Sequence, residues 1–498
     1  MIRVLNKTAL FLFLLPIFFV FHGNAENFGL ITVRDSFLLL CVYLAAALVF
    51  YFFFYLLYKN FIKAGLLSFS LLFVYFFFGA IYDFLKQYNI PVYRYSILLP
   101  LLLTIIIIFA IYLKKSKGDY YRVVFFLNIL LFVYLVVDIA SIAWKYLHPD
   151  PNQLSVYHLD SSQKYSSCDS CSSPDIYFLL FDEYSSSINL RQSFNYDNSD
   201  LDSFLTQRGF SQQVYSISNY NFTPFSIASI LNMNYINGIR DVNACTVEDY
   251  ARCNKLIRNN EVIQYLSSRY YDIVNYSIFD LAGSPSLVEQ SLLPVKTKLI
   301  TEQTLFRRFM RDVGWHFYTG KLEIKWLTKN RLLQDLNHNN QLLELVKQES
   351  SKRTVRPRFI YGHFEMPHPP FYFDKNNQPR NASTLMAEAT GSHIASYTGY
   401  IPYTNGKIEE LIDTIQKNTQ HSAVIVLMGD HGYRANIEGL PTAHYFQNLN
   451  AVYFPHKNYG LLKDSISGVN QFRVIFNTLF NQSFVFLKDS TIFLKDKE

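Results

Sequence analysis

The sequence has 498 residues, half of them hydrophobic, with 45 Phe and 37 Tyr. This composition is too apolar for an ordinary soluble protein, and the excess of apolar residues lies near the N-terminus. The net charge of +6 is modest and the basic residues form no clustered patch, so we expect no nucleic-acid partner.

The N-terminal region contains apolar stretches of about the length that crosses a bilayer, which is roughly 20 residues. They cover residues 8–22, 36–58, 64–85, 96–113 and 123–143. We therefore expect a transmembrane region of about five helices over residues 1–143. The first stretch is the shortest, and it could instead be a signal peptide flanked by Arg3 and Lys7.

The basic residues of the loops predict the orientation of these helices. Lys and Arg are frequent in residues 3–7, 59–63 and 114–122, whereas the alternate loops contain few. The positive-inside rule then places the N-terminus in the cytoplasm. After five spans the chain lies outside, so we expect a multi-pass protein of the cell membrane with a periplasmic or extracellular C-terminal part.

Four of the five cysteines lie in this exported part, an even number in an oxidising compartment. We expect a disulfide between Cys245 and Cys253 that closes a short loop. Cys168 and Cys171 could form a tight disulfide, a redox pair or half of a metal site, or could be free thiols. A zinc ribbon would need a second Cys-x-x-Cys sequence, which the chain does not contain.

Residues 144–173 are predicted to be a linker because they are rich in Ser and contain a Pro-Asp-Pro sequence. Strand-like and helix-like stretches alternate after residue 174. Strands are predicted at 175–181, 212–217, 272–278, 357–364, 423–428 and 450–454, and helices at 199–208, 224–234, 260–268, 340–348, 405–417 and 468–480. This alternation predicts an α/β domain over residues 174–498, with a largely parallel sheet covered by helices on both faces. Residues 284–340 are the hardest to interpret and could be an insertion.

Two of the predicted strands run directly into metal-ligating residue types. The strand at 175–181 is followed by Asp182 and Glu183, and the strand at 423–428 by Gly429, Asp430 and His431. A carboxylate at the carboxyl end of a buried strand is costly unless a cation meets it, which favours a metal ion or a cationic partner. The alternative is that these residues are solvated or cap the next helix.

Thr223 and Pro224 are a credible helix start, since Thr is a favoured N-cap and Pro is common in the first turn. Thr223 could therefore be a cap and nothing more. A hydroxyl at a helix N-terminus also lies where a tetrahedral anion binds, and beside a metal ion it would lose its proton more easily.

Three histidines follow as candidates for proton transfer or phosphoryl binding. His363 lies at the end of the predicted strand 357–364, and His368 lies between prolines in the next loop. His444 is a weaker candidate for the same role, because it could equally be a histidine of a surface loop.

Four features, in this order along the chain, resemble the sulfatase-like branch of the alkaline phosphatase superfamily. They are Asp182-Glu183, Thr223 at a Ser- and Ala-rich helix, the loop around His368, and Gly429-Asp430-His431-Gly432. Preceded by five spans, such a domain resembles lipoteichoic acid synthase and the phosphoethanolamine transferases in particular. The resemblance covers residues 174–480 and the membrane region.

The resemblance implies a role for each matching residue. Asp182 would be the first metal ligand, Thr223 the nucleophile that also contacts the metal, and Asp430 and His431 the remaining ligands. His368, with His363 nearby, would contact the phosphoryl group; His444 has no counterpart in the resemblance and stays a candidate for substrate binding on its own residues alone. These families usually have a lone Glu at the first position, so whether Asp182 or Glu183 is the ligand is open. The Cys-x-Pro-x-Arg or Ser-x-Pro-x-Arg sequence of true sulfatases is absent.

These features predict a metal-dependent transferase that moves a phospho-head group, of the phosphoethanolamine or phosphoglycerol type, from a membrane lipid to an envelope glycan or lipid. The alternatives are a phosphate- or sulfate-ester hydrolase with the same site, and an inactive envelope-assembly or binding protein. One divalent metal ion is expected. Mn²⁺, Zn²⁺ and Mg²⁺ suit the mixed oxygen and nitrogen ligands about equally, and Ca²⁺ suits them less well.

Overall fold

The computed structural model describes residues 8–148, 155–156, 171–287, 297–314, 333–388, 392–434, 436–438 and 440–496. These residues form two compact units. The helical unit contains residues 8–148 and 297–314, and the sheet unit contains the other described residues.

The helical unit begins with the predicted apolar stretches. They form α1 (Phe11–Glu26), α2 (Val33–Tyr58), α3 (Phe61–Gln87), α4 (Tyr95–Lys115) and α5 (Tyr121–Leu147), with a short 3-10 helix at Pro91–Tyr93. Helices α2 to α5 are long and apolar enough to cross a membrane. Helix α1 has 16 residues, or about 24 Å at 1.5 Å per residue, and is shorter than a typical span.

Helix α1 packs along α5 in the same direction. At one end the backbone N–H of Phe11 donates to Oδ1 of Asn128 at 2.6 Å, and at the other Nζ of Lys145 donates to the carbonyl oxygen of Ala25 at 2.5 Å. Since residue numbers rise together in both helices, α1 and α5 run parallel. This is the arrangement that successive helices crossing in alternate directions would give to the first and fifth.

A second part of the helical unit comes from far along the chain. It contains α11 (Lys298–Thr301), which packs against α1, and α12 (Leu305–Asp312), which packs against α3. The sequence pattern places these residues inside the domain 174–498, in the stretch that is hardest to interpret. The structure instead groups them with the apolar helices.

The sheet unit contains a six-stranded sheet in the order β3-β8-β7-β2-β6-β5. Its strands are β2 (Ile176–Phe181), β3 (Ser211–Gln212), β5 (Asp272–Tyr276), β6 (Arg358–Phe364), β7 (Val424–Gly429) and β8 (Asn450–Tyr453). Strands β5, β6, β2 and β7 are parallel, while β8 and β3 join antiparallel at one edge. The predicted, largely parallel sheet is confirmed.

The predicted linker contributes a short strand to this unit. Strand β1 (Ser155–Val156) pairs antiparallel with β4 (Ile236–Asn237). The predicted strand at 212–217 is shorter than expected, because Ile217 leaves the sheet edge to bridge Gln447 and Ser467.

The α-helices of the sheet unit include all those that were predicted there. They are α6 (Ser187–Phe194), α7 (Ser199–Gln207), α8 (Thr223–Leu231), α9 (Val247–Arg258), α10 (Glu261–Ser268), α13 (Gln334–Ser351), α14 (Ala382–Ala387), α15 (Ile394–Asn418) and α16 (Gln471–Phe480), with 3-10 helices at Thr442–Tyr445 and Gly468–Asn470. Helix α15 begins 11 residues before the predicted start at 405 and continues through Pro402. Tyr397, Tyr400 and Ile401 are fully buried on its early turns, and this packing outweighs the hydrogen bond lost at Pro402.

The predicted disulfide between Cys245 and Cys253 is wrong, since both are free thiols. The backbone N–H of Cys245 donates to the carbonyl oxygen of Lys495, which holds this residue ahead of the N-cap Thr246. Cys253 lies two turns into α9, about 10 Å along the helix axis, whereas a disulfide needs Cα atoms within roughly 7 Å. Cys171 is disulfide-bonded, and Cys168 lies outside the described residues.

Candidate active site

The site begins with the register of the three central strands. Phe181, the last residue of β2, lies opposite Phe364 of β6 and Gly429 of β7. The next residues, Asp182 and Asp430, therefore leave neighbouring parallel strands at the same edge of the sheet. Hydrophobic runs of equal length thus bring together two carboxylates that are far apart in sequence.

Asp182, Asp430 and His431 form a compact, buried group, whose potential ligand atoms all lie within 4.8 Å of one another. Oδ1 of Asp182 and Oδ2 of Asp430 have no hydrogen-bond partner among the described residues. A buried carboxylate oxygen without a donor is costly, and a cation would relieve that cost. Two oxygens and one imidazole nitrogen fit a divalent metal ion, so the group could hold one.

His431 presents its other ring nitrogen to this group. Nδ1 lies 2.9 Å from the carbonyl oxygen of Gly432, which can only accept, so Nδ1 carries the hydrogen. Burial, followed by the charge of Arg434, lowers the pKa of His431 to about 4. The ring is therefore neutral near pH 7, and the lone pair of Nε2 faces Oγ1 of Thr223 and, at 3.1 Å, Oδ2 of Asp430, where it could bind a metal ion.

Thr223 faces the same group from the start of α8. It is the first residue of the helix rather than the predicted cap, since Phe222 holds the N-cap position and the helix has no side-chain cap. Its Oγ1 lies 3.2 Å from Nε2 of His431. Oγ of Ser226 donates to the carbonyl oxygen of Asp430 at 2.6 Å, which fastens α8 to the Asp430 loop.

Glu183 adjoins this group, but its carboxylate is directed to another partner. Its backbone N–H donates to Oδ1 of Asp430 at 3.0 Å, with φ at +60°. Its side chain accepts a hydrogen bond from Nε of Arg434 at 2.7 Å. Of the two candidates for the first ligand, Asp182 is thus the one in the three-residue group.

Arg434 is a site residue that the sequence pattern did not reveal. Besides pairing with Glu183, its guanidinium lies 5.4 Å from the ring centroid of Phe222, the residue before Thr223. Burial lowers its pKa, but Glu183 outweighs burial and raises it. The feature of the sequence that could have identified Arg434 is its position four residues after Asp430 in the same loop. A guanidinium held beside the candidate nucleophile suits a phosphoryl oxygen.

The predicted candidates His363 and His368 both lie close enough to Asp182 to interact with its carboxylate. Nε2 of His363, in β6, is 3.8 Å from Oδ2 of Asp182, while Nδ1 is 3.1 Å from the hydroxyl of Tyr361. Nδ1 of His368 donates to the carbonyl oxygen of Pro369 at 2.7 Å, which leaves Nε2 for a ligand. Burial lowers the pKa of His368, but the charges of Glu183 and Asp182 outweigh burial and raise it.

His444 lies in the 3-10 helix Thr442–Tyr445 and is buried, unlike the histidine of a surface loop that was the alternative. Its Nδ1 donates to the carbonyl oxygen of Pro441 at 2.7 Å, and its own carbonyl oxygen accepts from Nδ2 of Asn189 at 2.9 Å. A role in substrate binding remains a prediction.

The two carboxylates influence each other's protonation. Burial would raise the pKa of Asp182, but His368 and His363 outweigh burial and hold the pKa below its usual range. Burial, and then the charge of Asp182, raises the pKa of Asp430 to about 7. The site therefore concentrates negative charge away from water, which is the condition that binds a cation.

Residues 295–467 match the sulfatase family model. The matched region contains β6, β7, His363, His368, Asp430 and His431, and confirms the predicted resemblance for that part of the chain. It begins after Asp182 and Thr223, which the fold brings to the same site.

No curated protein matches the chain. Among solved structures, it is similar to the C-terminal periplasmic domain of EcEptC from Escherichia coli in complex with Zn, with 10% identity over 67% of this chain and 92% of that chain and a TM-score of 0.40. It is also similar to the C-terminal periplasmic domain of phosphoethanolamine transferase EptC from Campylobacter jejuni, with 13% identity over 65% and 94% and a TM-score of 0.37. A third similar structure is a phosphonate monoester hydrolase of Agrobacterium radiobacter, with 13% identity over 61% and 73% and a TM-score of 0.38.

Proposed function

We propose that this protein is a membrane-anchored, metal-dependent transferase that moves a phospho-head group from a membrane lipid to an envelope glycan or lipid. The observation that carries the proposal is the position of Thr223, a half-buried hydroxyl 3.2 Å from His431 and beside the buried group Asp182, Asp430 and His431. The head group is of the phosphoethanolamine or phosphoglycerol type.

Asp182, Asp430 and His431 would hold one divalent metal ion, Mn²⁺, Zn²⁺ or Mg²⁺. When bound, such an ion lowers the pKa of a neighbouring hydroxyl and neutralises phosphoryl charge. Glu183 holds Arg434 in place, and the guanidinium binds two phosphoryl oxygens of the donor through parallel N–H···O bonds.

In the first step, deprotonated Oγ1 of Thr223 forms a bond to phosphorus, and the bond between phosphorus and the glycerol oxygen of the lipid breaks. The leaving oxygen takes a proton from Nε2 of His368, and diacylglycerol departs. In the second step, an acceptor hydroxyl loses its proton to His368 and attacks phosphorus, which releases Thr223. His363, held by Tyr361, positions Asp182 during both steps.

The test is to trap the covalent intermediate. The full-length protein is mixed with a phospholipid donor in detergent, quenched in acid, digested and analysed by mass spectrometry. We expect head-group phosphate on the peptide that contains Thr223, together with released diacylglycerol. Labelling of a different peptide would end the covalent-threonine mechanism and point to metal-activated water.

Ester hydrolysis is the second candidate, because the match to the sulfatase family model names that chemistry. Hydrolysis would use the same residues, with water in place of the acceptor hydroxyl in the second step. Adding a glycan or lipid acceptor separates the two functions. A transferase yields the modified acceptor at the expense of free phospho-head group, whereas a hydrolase yields the same free product with or without acceptor.

A further inference from the structure

Residues 297–314, here called the docked segment, lie in sequence between parts of the sheet unit but belong to the helical unit. The proposed active site does not involve the docked segment. Its two short helices, α11 and α12, pack against α1 and α3 respectively. The question is what this part of the chain does among apolar helices.

Glycines in the apolar helices leave room for the docked segment. A Cβ atom added at Gly23 of α1 would lie 2.8 Å from Cγ2 of Ile300, and one added at Gly79 of α3 would lie 2.9 Å from Cα of Gln303. Both distances are closer than real Cβ atoms approach. The backbone N–H of Gly79 also donates to the carbonyl oxygen of Gln303 at 2.8 Å. The apolar helices are therefore shaped to accept the docked segment.

Charged groups reinforce this contact. Arg308, which is only 6% exposed, forms an ion pair with Asp83 of α3. The hydroxyl of Tyr95, at the start of α4, donates to Oδ2 of Asp312 at 2.6 Å. The Arg308 guanidinium is buried although the Asp83 side chain is 47% exposed, and a buried guanidinium that loses its carboxylate is disfavoured, so the pair helps to hold the docked segment in the helical unit.

The docked segment lies at one end of the helices. Because successive helices run in alternate directions, the C-terminal ends of α1, α3 and α5 share one side. Gly23 and Asp83 lie within about one turn of the end of their helices, and Gly79 lies eight residues before the end of α3, so the docked segment covers roughly the last two turns of α3 on that side. The chain also leaves α5 there, so the docked segment lies where the helices emerge from the bilayer.

The exposed residues of α12 have interfacial character. Phe306 is 57% exposed, and Arg307 is exposed and makes no ion pair with any described residue. Arg311 follows one turn later on the same face as Arg307 and is also exposed, but it pairs with Glu302 at 3.2 Å and with Asp312 at 2.7 Å, so Arg307 is the arginine of this face that is left for lipid phosphate. Aromatic side chains and arginines at the end of transmembrane helices are typical of the headgroup layer, and a guanidinium matches the phosphate of a phospholipid.

We infer that α12 is a membrane-surface helix, with Phe306 inserted beside the lipid acyl chains and Arg307 bound to phospholipid phosphate. The docked segment would then fix a stretch of chain from within the sheet unit's sequence to the bilayer surface. The proposed partner is the phospholipid surface itself and not free phosphate.

The test places a fluorescent reporter at position 306 of the full-length protein in liposomes. Phe306→Trp is a conservative change at an exposed site, and its emission is measured as the difference from the parent, which contains three Trp. Brominated phosphatidylcholine quenches Trp only on contact with lipid. The matched control is Val355→Trp, at a fully exposed position of the sheet unit.

We expect brominated lipid to quench most of the emission added by Phe306→Trp and little of that added by Val355→Trp. An unquenched Trp at position 306, or equal quenching at both positions, would overturn the inference. Adding Arg307→Glu should reduce the quenching at least twofold in anionic liposomes, while inorganic phosphate should have no effect. No change with Arg307→Glu, or competition by inorganic phosphate, would overturn the assignment of Arg307 to lipid phosphate.

Discussion

The two ends of the central sheet both bury charge, but they satisfy it differently. At the amino end, Arg358 lies between Asp175 and Glu349, with Nη2 at 2.6 Å from Oδ2 of Asp175 and Nη1 at 2.9 Å from Oε1 of Glu349. Tyr276 and Lys352 complete the hydrogen bonds of Glu349. At the carboxyl end, Oδ1 of Asp182 and Oδ2 of Asp430 remain without a donor among the described residues.

The difference shows where the protein supplies its own cation and where it leaves room for another. Burying a carboxylate demands a positive or hydrogen-bonding partner, whichever end of the sheet it occupies. The amino end meets that demand with Arg358, and we therefore assign it to stability. At the carboxyl end, two carboxylate oxygens lack such a partner among the described residues and lie beside a hydroxyl and two histidines, which supports the metal binding and catalysis proposed for this end.

The largest effect is expected at Thr223, where the carboxyl end would carry out its chemistry. Thr223→Asn removes the hydroxyl and should lower kcat roughly 10⁴-fold or more, while Thr223→Ser should keep measurable turnover. Because the structure gives Thr223 no capping role, thermal unfolding should change little in either variant. An active Thr223→Asn enzyme would show that Thr223 is not the nucleophile.

At the amino end, Arg358→Met should destabilise the fold by roughly 3–5 kcal/mol, because the buried Glu349 and the partly buried Asp175 lose their shared cation. The measurement is thermal unfolding of the detergent-solubilised protein, with metal content determined on the folded fraction. Metal content should stay unchanged. The matched control is Arg356→Met, an exposed arginine 3.6 Å from Asp272, which should cost no more than about 0.5 kcal/mol. Similar losses in both variants would contradict the comparison.

Asp430→Asn should weaken metal binding about 100-fold or more, since it replaces an anionic ligand by a neutral amide of the same shape. Elemental analysis and calorimetric titration measure this, with the exposed Asp413→Asn as control. Chelation should lower the unfolding temperature of the parent but not that of Asp430→Asn. Full metal content in Asp430→Asn would refute the site assignment.

The metal-free protein should respond to pH through Asp430. A carboxyl whose folded pKa is raised to about 7 binds a proton more tightly in the folded state. Its contribution to stability is complete below the unfolded pKa of about 3.9 and is lost as the pH rises towards 7, by at most about 1.4 kcal/mol per pH unit. Unfolding scans of chelated protein between these values should show this decline, and Asp430→Asn should flatten it. A parallel decline in both proteins would assign the effect elsewhere.

The smallest effect is expected for Glu183→Gln. This change leaves Arg434 without its charged partner, so KM for the donor should rise about tenfold while metal content stays the same. Asp182→Asn is the comparison, since it should lose metal. If Glu183→Gln lost metal and Asp182→Asn kept it, Glu183 would be the first ligand.

The sequence was sufficient to predict much of this architecture. Long apolar stretches predict helices α2 to α5, because a segment that crosses the bilayer must pair its own backbone N–H and C=O groups, and a helix does so. Buried strands such as β2 and β7 appear as continuous hydrophobic runs, and the polar residue after each run falls at the sheet edge. The sequence alone therefore predicts that Asp182, Asp430 and His431 are neighbours.

Tertiary structure alone decided how the remaining side chains are used. Glu183 and Asp182 are chemically alike in sequence, and only the position of Arg434 directs Glu183 away from the three-residue group. Cys245 and Cys253 are close in sequence, but a helix separates them. The docked segment resembles an insertion because its apolar partners, including Gly23 and Gly79, are far away in the chain. In each case the deciding contact joins distant residues, and local pattern carries no information about which distant residue will be the partner.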